Sequence, residues 1–201
     1  MAHLKTQYIK NMLEIAIWND MTQCTHAEVE RMMLLVSEQR RQQAMRYTHT
    51  FGQYCCLRSW LMLRDLLGYA PNEWHYNEHG KPFLIGDEAT TYFSISHCRE
   101  AIAVAISDKV IGIDIESIRH ADETLVARTM TEAEQSYIHS HAQPDRAFIV
   151  LWTRKEAILK GMGTGIESFE QLQTLSVLDD SYNELALTTV EKDKYIYSIA
   201  N

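Results

Sequence analysis

The sequence predicts an α+β protein in which each of two halves combines helices with a small antiparallel sheet. Three observations carry this. Capping-box tetrapeptides precede stretches with helical apolar spacing, and a central region switches to a two-residue period in short runs. The 201 residues, 46% hydrophobic, contain no Ser/Gly linker, low-complexity tract or short repeat, so any boundary is compact. The boundary is expected near Ser107 to Lys109, giving halves 1–108 and 109–201.

Tyr8 to Trp18 mixes β-branched and aromatic residues and ends at the turn-like Asn19-Asp20, which reads as a strand. Thr25-His26-Ala27-Glu28 has capping-box spacing, so a helix is expected from there to about Glu38 or beyond. A second helix is expected from Thr50 to Leu67, where Leu57, Leu61, Leu63 and Leu67 form an apolar face and Gly68 is the stop. From Trp74 the period becomes two, and Pro82 to Ile85, Thr91 to Ser96, Ala101 to Ser107 and Val110 to Glu116 read as strands. Thr131 to Glu134 is another capping box, and Pro144-Asp145 opens a helix to about Lys160, closed by the glycines at 161, 163 and 165. Thr174 to Leu178, Leu185 to Val190 and Tyr195 to Ile199 read as closing strands.

A net charge of −8 argues against general nucleic-acid binding, which needs a basic surface to displace counterions from phosphates. No stretch is long and apolar enough for a membrane span, and Lys5 and Lys10 lie among polar residues instead of flanking a signal-peptide core, so a cytoplasmic location is expected. Cys24, Cys55, Cys56 and Cys98 form no C-x-x-C pair and read as buried free thiols. The nine histidines lack zinc-site spacing.

In the strand Val110 to Glu116 the isoleucines at 111, 113 and 115 share one face, leaving Gly112, Asp114 and Glu116 on the other. Alternate strand residues lie roughly 6.5 to 7 Å apart, so two such carboxylates can converge on a hard cation. A solvated edge strand gives the same pattern. In the helix from Phe148, Trp152, Glu156 and Lys160 stack at i, i+4, i+8 with Lys155 to the side. A surface Glu156–Lys160 pair and a phosphate or metal site are both compatible with that spacing. Phe93-Ser94-Ile95-Ser96-His97 ends a strand in a hydroxyl and an imidazole without the G-x-S-x-G elbow of a serine hydrolase, and Gly80-Lys81-Pro82 reads as a turn before a strand.

Taken in order, Gly80-Lys81-Pro82, Phe93 to His97, Gly112-Ile113-Asp114-Ile115-Glu116 and Trp152-Thr153-Arg154-Lys155-Glu156 with Lys160 resemble the motifs of the 4′-phosphopantetheinyl transferase superfamily, of the larger Sfp type. Thr131 to Glu134 resembles a further family segment, with Met130 where phenylalanine is usual. The resemblance covers residues 80 to 166 and implies two similar α+β halves related by a pseudo-twofold axis, with coenzyme A between them, in a monomer. It implies Mg²⁺ held by Asp114, Glu116 and Glu156, with Glu156 and Lys160 catalytic and Lys155 a nearby electrostatic partner. Ser96 and His97 are expected on coenzyme A phosphates, and Lys81 and Pro82 against the adenine or ribose phosphate. The implied reaction transfers phosphopantetheine to a serine of an apo acyl or peptidyl carrier protein, releasing 3′,5′-adenosine bisphosphate. The pattern departs at the 3′-phosphate end, where Thr50, Gln53 and Cys55 replace the usual basic residues and Arg46, His49 or Arg58 stands in, Arg46 being the assignment. An idle coenzyme A or nucleotide-binding module and a Mg²⁺-dependent nucleotide phosphohydrolase are the alternatives.

Overall fold

The computed structural model describes residues 12–71, 75–85 and 90–201, so the expected strand residues 8 to 11 and Trp74 lie outside the described residues. In chain order the elements are β1 (Leu13–Trp18), α1 (His26–Met33), α2 (Glu38–Met45), α3 (Thr50–Leu67), β2 (His75–Tyr76), β3 (Pro82–Phe83), β4 (Tyr92–His97), β5 (Ile102–Ser107) and β6 (Gly112–Ser117). They continue with α4 (Glu123–Thr129), α5 (Glu132–Ser140), α6 (Pro144–Met162), α7 (Phe169–Thr174), β7 (Ser181–Tyr182), β8 (Leu185–Glu191) and β9 (Tyr195–Ala200). All strand pairs are antiparallel. One sheet has the order β1-β5-β4 and a second β6-β9-β8-β7, while β2 and β3 form a small hairpin.

Strand alternation divides the side chains into layers. On one face of the first sheet Ala16, Trp18, Phe93, Ile102, Val104 and Ile106 pack with α1 and α3, around Val29, Tyr54, Leu57 and Leu61. On its other face Ile15, Ile17, Ala101, Ala103 and Ala105 meet Ile111, Ile113 and Ile115 of the second sheet, with Tyr197 and Ile199. The small alanines let the two sheets approach closely. The far face of the second sheet, with Ile196, Ala200 and Leu187, packs on Phe148, Leu151, Ile158 and other residues of α4 to α7. The molecule is therefore a stack of helices, sheet, sheet and helices, and the mixed α+β class expected from the sequence is present.

Several local expectations are corrected. The helix from Thr25 does not run through to Glu38: α1 stops at Met33, and Ser37 opens α2 by accepting from the Arg40 N–H at 3.3 Å. Only half of the Thr25 box forms, because Glu28 turns to Arg31 and Arg58 at 2.7 and 2.8 Å. The Thr131 box is complete. The segment Thr174 to Leu178, expected as a strand, is not one: α7, which Ser168 opens by accepting from the Gln171 N–H, ends at Thr174, and residues 175–178 are in neither helix nor strand. Helix α4 was not foreseen; Asp122 caps it by accepting from Thr124 and Leu125. Helix α6 ends at Met162 with Gly163 in the left-handed region at φ 79°, two residues beyond the expected end.

Candidate active site at the meeting of two sheets

β6 and α6 lie nearly backbone to backbone at Gly112. A Cβ there would stand 1.9 Å from the Ala157 carbonyl oxygen and 2.4 Å from the Gly161 nitrogen, so only glycine permits the approach. The residues sharing that face, Asp114 and Glu116, thereby meet the Glu156 and Lys160 stripe of α6, as the spacing requires.

Asp114 is buried, and its Oδ1 accepts from the Lys160 ammonium at 2.6 Å and the Ser96 hydroxyl at 2.8 Å. Lys160 also donates to the Ser96 oxygen at 2.9 Å. Asp114 Oδ2 is buried and has no hydrogen-bond partner among the described residues. Glu116 and Glu156 stand within electrostatic reach. Burial first, and then the charges of Asp114 and Glu156, push the Glu116 carboxyl up to about 7. Burial, followed by Asp114, also raises Glu156, with Lys160 opposing.

This donor set fits a divalent cation in kind. It offers carboxylate oxygens, one of them orphaned in the interior, and acids that resist sharing the space as anions. It is not a preformed cage, since among the described residues no three Asp, Glu, His or Cys side chains are gathered closely enough to hold a metal ion. Glu116 and Glu156 are only partly buried and have rotamer freedom to turn inward.

The remaining predicted residues divide. His97 ends β4, exposed, with its ring edge-on to Phe51 at 5.9 Å. It lines a recess of about 150 Å³ together with Pro82, Arg40, Gln43, Tyr47 and Tyr76. A neighbouring cavity of about 230 Å³ is lined by Lys81, Pro82, Ser94, Lys160 and Gly163. Lys81 does not present a free ammonium there. It donates to the carbonyls of Ile111 at 3.2 Å and Gly161 at 2.9 Å, and burial brings it down to about 8. Asn77, which no sequence pattern marked, reinforces this link by donating to Gly163 O at 2.8 Å.

Lys155 is the clear departure from expectation. It is wholly buried on Glu134, 2.7 Å away, and not on Asp114, Glu116 or Glu156, and it donates to the Leu172 and Leu175 carbonyls at 2.6 and 2.5 Å. Glu134 in turn accepts from the Val177 and Thr131 N–H groups at 2.9 and 2.8 Å. This hub ties α5, α6 and α7 together and leaves Lys155 no hydrogen for a phosphate. Arg46 lies exposed just beyond α2, and it is Arg40 that lines the recess beside His97. Arg58 is engaged with Glu28 and stacked 4.0 Å over the Trp18 ring, so it does not stand in. Ser94, two residues before Ser96, stands on the same face of β4. It accepts the Ile113 N–H at 3.0 Å.

The family model described as the 4′-phosphopantetheinyl transferase superfamily matches residues 110–200. The chain is similar to the 4′-phosphopantetheinyl transferase gsp of Aneurinibacillus migulanus, 33% identical over 174 residues, covering 80% of this chain and 72% of that protein. It is also similar to the 4′-phosphopantetheinyl transferase Sfp of Bacillus subtilis (strain 168), at 26% over 183 residues, or 83% and 81% of the two chains. To AcpT of Salmonella typhi it is 38% identical over 115 residues, or 52% and 58%.

Proposed function

The chain belongs to the 4′-phosphopantetheinyl transferase superfamily, and we propose that it moves phosphopantetheine from coenzyme A to a carrier-protein serine at the site formed by Asp114, Glu116, Glu156, Ser96 and Lys160. The observation that carries this placement is the joining of β6 carboxylates, the β4 hydroxyl and the α6 cation in one cluster at a cleft between the two sheets. In this reading residues 1–108 and 109–201 are the two walls of the cleft, in a cytoplasmic monomer.

Asp114, Glu116 and Glu156 are the residues that would hold Mg²⁺, which when bound neutralises pyrophosphate charge and orients the phosphorus. Pro82 and His97 line the first-half side of the cleft, where the adenosine end of coenzyme A is placed. The carrier serine oxygen attacks the β-phosphorus. Its bond to phosphorus forms as the bond to 3′,5′-adenosine bisphosphate breaks. Glu156, whose affinity for protons is raised by burial and by Asp114, takes the hydroxyl proton. The Lys160 ammonium, partly exposed beside Asp114, meets the charge that develops on the leaving phosphate.

The test is incubation with coenzyme A, Mg²⁺ and a panel of apo carrier proteins, followed by intact mass measurement. A phosphopantetheine adduct on the carrier serine is expected. No adduct on any carrier would overturn the assignment, and release of phosphopantetheine without a carrier would make the protein a phosphohydrolase.

A further inference from the structure

We propose that Trp152 is a positioning residue, whose indole N–H holds the Glu156 carboxylate in the place from which it ligates the metal. This deepens the reading of Glu156 as a metal ligand, and rests on it.

Trp152 carries a donor without an acceptor. Its Nε1 atom is buried and has no hydrogen-bond partner among the described residues. A buried indole N–H ordinarily finds one, because the hydration it loses is otherwise uncompensated. The rest of the ring is satisfied by apolar contact. It packs against the core of the second half, with its centroid 6.0 Å from that of the Phe148 ring. Nothing in that contact accepts a hydrogen bond.

The helix supplies the acceptor. Phe148, Trp152, Glu156 and Lys160 follow one another at four-residue intervals along α6. Phe148 has no polar side-chain atom and the Lys160 ammonium has only hydrogens to give, so Glu156 is the one acceptor on the stripe. Side chains on a helix lean toward its N-terminus, over the turn before their own Cα, which carries the Glu156 carboxylate back over Trp152. Asp114 is anchored instead on Lys160, one turn further from Trp152. Burial and the charges of Asp114 and Lys160 act on Glu156, and no hydrogen bond does, so its oxygens are open to the indole. The two groups are not bonded as the side chains stand. The bond forms as the half-buried Glu156 turns inward, a movement its rotamers allow. With one oxygen on Nε1, the other faces Asp114 and the cation, which is how an outer partner fixes a ligating carboxylate.

The experiment compares the full chain with Trp152→Phe, which keeps an aromatic ring and removes the N–H, alone and combined with Glu156→Ala or Glu116→Ala. Mn²⁺ affinity is read by electron paramagnetic resonance with coenzyme A present, and coenzyme A affinity by calorimetry in EDTA. Trp152→Phe is expected to lose on the order of 10-fold in Mn²⁺ affinity, as removal of a ligand-orienting group does, with coenzyme A affinity in EDTA unchanged. That loss vanishes in the Glu156→Ala background, where no carboxylate is left to orient, and persists in the Glu116→Ala background. A packing defect would weaken both backgrounds alike. A second readout, by NMR, needs no variant: the Trp152 indole N–H resonance, identified by its contacts with Phe148, moves downfield on adding Mg²⁺ and coenzyme A as it gains an acceptor. Wild-type Mn²⁺ affinity in Trp152→Phe, a loss that tracks Glu116 instead, or an indole resonance that does not move would each overturn the inference and leave the metal reading standing. A wild-type protein that binds no Mn²⁺ with coenzyme A present would overturn both.

Discussion

Replacing Gly112 by alanine tests whether backbone contact between β6 and α6 sets the geometry of the site. The new Cβ would lie 1.9 Å from Ala157 O and 2.4 Å from Gly161 N, where ordinary contact begins at 3.4 Å. Both neighbours are backbone atoms, so no side-chain rotation relieves the clash, and α6 must retreat by about 1.5 Å. Because α6 carries Glu156 and Lys160, that retreat stretches the 2.6 Å contact between Lys160 and Asp114 to roughly 4 Å, beyond hydrogen-bonding range. Overpacking of this kind costs about 1–3 kcal/mol. Displacement of catalytic groups by about 1 Å costs on the order of 10²-fold in rate. Gly112→Ala should therefore unfold at lower denaturant and, while still folded, lose about two orders of magnitude in kcat/KM for carrier modification. Gly161→Ala is the control: its Cβ meets nothing closer than 3.5 Å, and it should transfer at close to the wild-type rate. A folded Gly112→Ala protein with wild-type kcat/KM would refute the claim that this contact places the chemistry.

Three other outcomes follow from particular side chains. Removing one member of the buried Glu134–Lys155 pair, as in Lys155→Met, strands the other, so denaturant melts should show a loss of about 3–5 kcal/mol, with the double variant Glu134→Leu/Lys155→Met losing less. Burial holds Lys81 near 8 against an ordinary 10.5, so the folded state binds fewer protons than the unfolded one between those values, and this group's contribution to stability rises with pH across that window. A lysine side-chain NMR titration should find one residue with a midpoint near 8 that disappears in Lys81→Met, and lysines that all titrate near 10 would contradict it. The Cys55 thiol, pushed up to about 12 by burial, should resist iodoacetamide in the native protein at pH 8 and react once unfolded; native labelling at Cys55 would refute its burial.

The parts of this site that were legible in the sequence are those fixed by local periodicity. The isoleucines at 111, 113 and 115 had to leave Gly112, Asp114 and Glu116 on the opposite face, because successive strand side chains alternate by covalent geometry. Trp152, Glu156 and Lys160 had to share a stripe for the same kind of reason. What periodicity cannot supply is the partner of a long charged side chain. Lys155 is one residue from Glu156, yet the helix turns it into another environment, where its partner Glu134 comes from a different element. Lys81, expected against the adenine or ribose phosphate, donates to the carbonyls of Ile111, just before β6, and Gly161, near the end of α6, which no side-chain pattern displays. Glu28 had the spacing to complete a capping box and was drawn instead to Arg58, far along the chain.

The Lys81 bonds, unlike the other two contacts, lie at the seam where the site is found. β4 and β6 each stand at the edge of their own sheet, and they come together without forming a ladder between them. An edge strand carries unpaired N–H and C=O groups that need partners. Here some of those partners are side chains: Ser94 accepts the Ile113 N–H, and Lys81 donates to the Ile111 carbonyl. A ladder would have aligned the two strands by backbone bonds alone. Pairing through side chains instead puts hydroxyls and an ammonium against the edge strand that bears Asp114, inside an apolar surround where each of their charges and dipoles counts for more than it would in water. The polar chemistry is concentrated at this seam because the seam is where the backbone's own bonding stops.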